Sequence, residues 1–360
     1  MRIFNPKVRT GQGSFRLNRE EFKRRWKEHF SDPAFSAEAE SIDRLAEIAW
    51  LAYEDRRKSP RTCKAGPEFA DPEHELAVEW LETREKIMAA QREFERHAAA
   101  SRILLICGSP RNDETCPSEM SKTFRIAQHV RAILGKDARF TIDFLDLSAL
   151  IAEFGRVIYP CKACVSTAMP LCHWPCSCYP NHYLGQVSDW MNEIYPRWVA
   201  AHGIMIVTPV HWYQSPSVLK LMMDRLVCAD GGNPDPTTTD GKDPDKAKAL
   251  ELDGWNYPKH LKGRVFSLIV HGDTIGAEEV RRDLHDWLTD MELVPAGASA
   301  MLDRYIGYYE PYATSHEALD EDKAFLDEAR NAALTLLAAV TEMRAGRKPP
   351  GSDLVSPRPK

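Results

Sequence analysis

The spacing of apolar residues changes near position 100. Before it, Ile42, Leu45, Ala46, Ala49 and Tyr53 recur at helical intervals and predict a helix over 39–57. A second helix is predicted over 71–98. Asp71 is its N-cap and Pro72 its first helical residue, and Leu76, Trp80, Leu81, Ile87, Met88 and Phe94 make its apolar stripe. After position 100, short apolar runs alternate with amphipathic stretches. Arg102–Cys107, Phe140–Leu147, Gly203–Thr208 and Arg264–Val270 read as buried strands, with a last strand within 294–302. Residues 119–134, 216–227, 275–290 and 317–344 read as helices.

Alternating strands and helices predict an α/β fold. Five strands suit a doubly wound, five-stranded parallel sheet of flavodoxin-like order, preceded by an N-terminal helical extension. The expected division is a helical extension over 1–100, which docks on the sheet domain or on a second subunit, a sheet domain over 101–345, and a disordered tail over 346–360. Composition supports the first boundary. Residues 1–100 hold 19 Lys+Arg and 19 Asp+Glu, whereas the whole chain carries a net charge of −6. That balance argues against nucleic acid as a partner. The first 22 residues show no apolar core of a signal peptide, and no run of 18 apolar residues suggests a membrane span. A cytoplasmic location is therefore expected, with the nine cysteines as thiols or ligands rather than a disulfide framework.

Ligands of open parallel sheets sit at the carboxyl ends of the strands, where strand order reverses. The first such turn begins Gly108-Ser-Pro-Arg and runs to Thr123. It lacks both G-x-G-x-x-G and G-x-x-x-x-G-K-[ST]. Its hydroxyls (Ser109, Thr115, Ser118, Ser121, Thr123), its cations (Arg111, Lys122) and the amides opening the next helix suit a phosphate monoester. A plain capped turn is the alternative. The turn after the third strand, Thr208-Pro-Val-His-Trp-Tyr, places flat apolar faces at a strand end.

The GSPR turn, and Pro209-Val210-aromatic followed by Lys220 and Asp224-Arg225, resemble the NAD(P)H-dependent FMN reductases, which are flavodoxin-like flavoproteins. The resemblance spans about 101–302. This loop is six residues longer than the family's, and Lys122 stands where Asn is usual. The resemblance implies FMN as cofactor and NADPH or NADH as co-substrate, with Arg111 a partner for the extra phosphate of NADPH. It implies phosphate contacts from Ser109, Arg111, Thr115, Ser121, Lys122 and Thr123. Ring contacts would come from Pro209, Val210, His211, Trp212 and Tyr213. The loop after the fourth strand, His271-Gly272-Asp273, would touch the flavin rim; a helix cap is the alternative for Asp273. Tyr213 and His211 are candidates to give a proton to the electron acceptor, a quinone, azo compound, nitro compound or free flavin. A homodimer or homotetramer is implied as well. The connection 229–262, with Trp255 and Tyr257, is expected to act as a lid.

Five of the nine cysteines crowd into Cys161, Cys164, Cys172, Cys176 and Cys178. They resemble in part the iron–sulfur flavoprotein branch, but Thr167 interrupts its compact C-x2-C-x2-C motif. Three readings stand: thiols packed near the flavin or an interface, a [4Fe–4S] cluster, or zinc with His173 or His182 replacing one thiolate. A redox dithiol with its thiolate favoured by Lys162 is a fourth. The corresponding alternatives for the whole protein are an iron–sulfur electron carrier and a zinc-stabilised binding module without flavin.

Overall fold

A computed structural model describes residues 16–96, 99–115, 119–164, 169–227, 230–254, 257–311 and 313–349. Thr167, Ser118, Trp255 and most of the expected disordered tail lie outside them.

The chain divides into two units. The first comprises residues 1–60 and 181–187. It holds α1 (Arg19–Lys27) and α2 (Ala39–Glu54). Asn18 caps α1 by accepting from the Glu21 amide at 2.9 Å. Phe22 packs on Tyr53 with centroids 4.5 Å apart, and Trp50 closes the same aromatic cluster. The strip 181–187 joins this unit through the amides of His182 and Tyr183, which donate to Lys58 and Arg57 carbonyls at 2.8 and 2.9 Å.

The second unit comprises residues 61–180 and 188–360, so the boundary falls about 40 residues before the expected one. Its first elements are β1 (Thr62–Lys64) and β2 (Glu75–Ala77), an antiparallel pair, then α3 (Val78–Phe94). The helix predicted from Asp71 thus starts six residues later, at Val78 rather than Pro72. The Asp71 carboxylate caps a turn, accepting from the Glu73 amide at 3.1 Å, and Glu75–Ala77 pairs as strand instead. The sheet then alternates with helices: β3 (Ser101–Cys107), α4 (Lys122–Leu134), β4 (Phe140–Asp146), α5 (Ala149–Ala152), α6 (Met191–Ala200), β5 (Gly203–Pro209), α7 (Ser217–Leu226), α8 (Pro244–Asp253), β6 (Val265–Gly272) and α9 (Ala277–Asp290). It closes with β7 (Val294–Pro295), β8 (Met301–Tyr305), α10 (Ser315–Glu321) and α11 (Lys323–Arg344).

The strand order is β4-β3-β5-β6, all parallel, with β7 and β8 both on the free side of β6. The expected last strand is therefore one strand position broken in two, by 296–300. Counting positions, the order is the flavodoxin-like 2-1-3-4-5. Side chains alternate cleanly across it. Leu104, Ile106, Ile204, Ile206, Phe266 and Leu268 pack with α3, α6, α7 and α9. Ile103, Leu105, Met205, Val207, Val265 and Ile269 pack with α4 and α11. All eight residues of β6 are buried, as a central parallel strand requires.

Helices α1, α5, α6 and α8 escaped the sequence pattern. In α6, buried Met191, Ile194, Tyr195, Trp198 and Val199 form a helical stripe, but Pro196 inside it reads as a helix break. Helix α8 lies inside the expected lid, capped by Asp243, which accepts from the amides of Asp245 and Lys246 at 2.9 and 3.0 Å. The same connection is pinned to the cysteine-rich segment: Trp174 N donates to Asn233 O at 2.8 Å, and Asn233 N to Cys172 O at 2.7 Å.

Candidate active site

Three loops leave the carboxyl ends of β3, β5 and β6 and meet. Gly108 ends β3. Its amide donates to Val207 O at 2.8 Å, and a Cβ there would fall 2.8 Å from Thr208 Oγ1. Only glycine lets the first loop pass so close to β5.

Within that loop, Ser109 and Ser121 are brought together, their Oγ atoms 3.5 Å apart. Ser109 Oγ accepts from the Arg111 amide at 3.0 Å. Ser121 is the N-cap of α4 and accepts from the Phe124 amide at 3.3 Å. One hydroxyl can donate to the other, which leaves a hydrogen to donate outward beside the N-terminus of the 13-residue α4, a place that favours an anion. Thr115 is held in its own turn by Asn112. The Arg111 guanidinium turns to the Glu119 carbonyl at 3.1 Å and stands 3.7 Å from its carboxylate.

Lys122 and Thr123 are drawn elsewhere. Lys122 Nζ donates to Ile306 O at 3.1 Å, and burial lowers its pKa. Thr123 Oγ1 lies 2.8 Å from His271 Nε2. The His271 ring is enclosed, so its pKa is pushed down to about 3 by burial, with Lys122 and His211 adding to the effect. It is neutral at physiological pH and links α4 to β6. Neither side chain reaches outward from this pair.

The second loop starts with Pro209 and Val210, whose amide donates to His271 O at 2.9 Å. His211 and Gln214 then exchange two backbone hydrogen bonds of 2.9 Å around Trp212 and Tyr213. Both central residues have positive φ, 48° and 66°. This is the hairpin turn that normally takes Asn-Gly, so two aromatic residues hold it under strain of about 1–3 kcal/mol each. Trp212 is 92% exposed and Tyr213 54%. The third loop closes on the second: at Gly276, φ is 111°, and a Cβ would lie 3.2 Å from Tyr213 Cα. Asp273 is the carboxylate whose field reaches Lys122, His211 and Tyr305.

A fourth loop was not foreseen. It follows β8, and Tyr308 and Tyr309 again have positive φ, 59° and 57°. Tyr309 is 94% exposed and lies tilted against Tyr305, with centroids 6.0 Å apart. The Tyr-Ile-Gly-Tyr-Tyr run at a strand end was the available signal. Size is a poor guide here. A cleft of about 600 Å³ between α4 and α11 is lined by His129, Lys136 and Arg330 and opens at the opposite end of the sheet.

The paired motif on α7 separates into two roles. Lys220 and Asp224 form an exposed ion pair one turn apart. Arg225 is buried: it donates to Asp189 at 2.5 Å and to the Tyr159 carbonyl at 2.7 Å, with its guanidinium 4.6 Å above the Tyr179 ring. It anchors the start of the cysteine-rich segment rather than a ligand.

In that segment Cys172, Cys176 and Cys178 are buried, and Cys161 and Cys164 half-buried. Cys161 Sγ accepts from the Ala163 amide at 3.3 Å. Lys242 Nζ lies 3.5 Å from Cys164 Sγ, 3.6 Å from Cys178 Sγ and 2.8 Å from Leu171 O. Hydrogen bonds from Cys164 and Cys176, then the charges of Lys242 and Lys162, hold the Cys178 thiol well below its ordinary range. His173 spends both ring nitrogens on hydroxyls, Ser177 and, at 2.9 Å, Thr239. His182 belongs to the other unit. Among the described residues, no three His, Cys, Asp or Glu side chains are arranged to hold a metal ion.

This sheet order, with three loops meeting at the switch point, defines a flavodoxin-like domain. The profile of the NADPH-dependent FMN reductases matches residues 101–306, more than half of the chain, and the chain belongs to that family. It is 29% identical over 126 residues to an iron-sulfur flavoprotein of Methanosarcina thermophila, covering 35% of this chain and 52% of that protein. A second iron-sulfur flavoprotein, from Methanocaldococcus jannaschii, is 29% identical over 114 residues, covering 31% and 46%. The chain thus spans about half the length of the curated relatives it matches. Among solved structures, a flavone reductase shares 15% identity with a TM-score of 0.39, over 69% of this chain and 65% of that one. No described helix is long and apolar enough to cross a membrane.

Proposed function

We propose that the chain holds FMN across the loops that end β3, β5 and β6, with NADPH as hydride donor and a small flat molecule as electron acceptor. Quinones, azo and nitro compounds and free flavin are the acceptor classes. The observation that carries this reading is the convergence of the three loops at the switch point, with two donor hydroxyls at a helix N-terminus on one side and an aromatic turn on the other.

The residues present suit the cofactor. Ser109, Ser121 and the first amides of α4 bind the phosphate. Pro209, Val210 and the backbone of Gly272–Asp273 border the ring, and glycine at 108 and 276 keeps that border free of side chains. Trp212 and Tyr213 cover an exposed face and exclude water. Tyr213 and His211 stand at the acceptor side and hold a proton for it. The flavin, when bound, supplies the hydride and electron chemistry. The expected homodimer or homotetramer and the cytoplasmic location belong to the same proposal. The iron–sulfur alternative draws no support from the insert, where an ammonium already stands between two of the thiols.

The test is spectroscopic. Purified full-length protein should carry one FMN per chain, and its visible flavin band should bleach under anaerobic NADPH and recover on adding a quinone. A colourless protein that does not take up FMN would overturn the reading.

A further inference from the structure

The cysteine-rich segment is built as a closed nest, and nothing in the flavin reading uses it. Its centre is Lys242, which bonds Cys164 and Cys178 at nearly equal distances, 3.5 and 3.6 Å, and is fixed by the Leu171 carbonyl at 2.8 Å. The two thiols also hydrogen-bond each other. They come from positions 14 residues apart in sequence, so the fold, not local spacing, brings them together. The nest is held from outside by the paired backbone of Cys172, Trp174 and Asn233 and by His173 on Thr239. Lys242 and Cys164 lie at its open side, within reach of a small solute, while Cys178 is 6% exposed.

A metal bridging these thiols would need the place that the ammonium occupies. An ammonium beside two thiols instead does what oxidisable dithiols require: it stabilises sulfur charge and leaves both sulfurs able to approach.

We propose that Cys164 and Cys178 form a redox-responsive dithiol, closed by hydrogen peroxide into a disulfide under Lys242. Cys164 sulfur, at the open side, attacks the peroxide O–O bond, giving a sulfenic acid and releasing water. Cys178 sulfur then displaces the hydroxyl, forming the S–S bond and a second water. The two thiols lose two electrons and two protons, and the peroxide takes both. The closed disulfide would tie the two ends of the insert together. Cys161, bonded to its own loop, takes no part.

The experiment uses the full chain, reduced and then freed of reductant. Metal analysis should find no stoichiometric iron, acid-labile sulfide or zinc. One equivalent of hydrogen peroxide should remove two thiols, and dithiothreitol should restore them. A chymotryptic digest, which cuts between the two residues at Leu171, should give a Cys164–Cys178 linked pair. Cys164→Ser and Cys178→Ser should each abolish the link, whereas Cys161→Ser should keep it. Lys242→Met should slow thiol loss about tenfold, with Lys242→Arg restoring most of the rate. Stoichiometric metal, a Cys176–Cys178 link, or unchanged rates in Lys242→Met would each overturn the proposal. None of these readouts depends on flavin.

Discussion

The carboxyl-edge loops and the cysteine-rich insert drew equal notice in the sequence, yet they are built on opposite principles. At the edge, the arrangement comes from position: a strand end and a helix start bring two ordinary serines together. In the insert, residue type is conspicuous but no strand positions it. A buried ion pair, a histidine committed to two hydroxyls and a lysine among thiols hold it together.

Four perturbations separate the two regions, taken from the largest effect down. Asp189→Asn strikes the insert's anchor. The Arg225–Asp189 side chains are 1% and 2% exposed, and leaving the arginine unpaired should cost about 3–5 kcal/mol in urea unfolding. Acid acts next, through His271. Its folded pKa is about 3 against an ordinary 6.5, so the unfolded chain binds the extra proton between those values. Stability contributed by neutral His271 is complete above pH 6.5 and falls as pH drops, by roughly 1.4 kcal/mol per unit, and His271→Gln should flatten that slope.

Gly108→Ala should then cost about 1–3 kcal/mol, because its methyl meets Thr208 at 2.8 Å. The same change should loosen FMN, seen as faster cofactor loss on gel filtration. An unaltered melting point with full FMN would show that β3 and β5 have room the geometry denies. The smallest effect runs the other way. Trp212→Gly removes a left-handed tryptophan and should stabilise the fold by about 1 kcal/mol while raising KM for flat acceptors. If the variant gained no stability and kept its KM, the turn would be neither strained nor part of the site.

Periodicity made most of the sheet domain legible, because β3, β5 and β6 are short apolar runs buried on both faces. It failed where tertiary packing overrode pattern. Helix α6 carries Pro196 inside its apolar stripe, and Glu75–Ala77 leaves a helical stripe to pair with β1. The N-terminal boundary slipped for a related reason. Helix α3 has a charged outer face like the preceding helices, but its inner face, with Trp80 donating to Pro175 O at 2.8 Å, belongs to the sheet domain. In the site, loop location was readable and side-chain allegiance was not. Ser109 and Ser121 lie 3.5 Å apart, whereas Lys122 and Thr123 are claimed by Ile306 and His271, partners about 150 or more positions away. The tyrosines after β8 were missed because the last strand was placed too early, over 294–302, while its longer piece runs Met301–Tyr305.

The central claim is that the β3 loop recognises a phosphate at the edge where a flavin ring is received. Calorimetric titration of cofactor-stripped full-length protein with FMN and with riboflavin tests it most directly. FMN should bind about 100-fold more tightly, roughly 2.7 kcal/mol. Ser121→Asp, which still caps α4 but faces the phosphate with a like charge, should bring the two affinities together. Equal affinities for FMN and riboflavin in the unaltered protein would contradict the account.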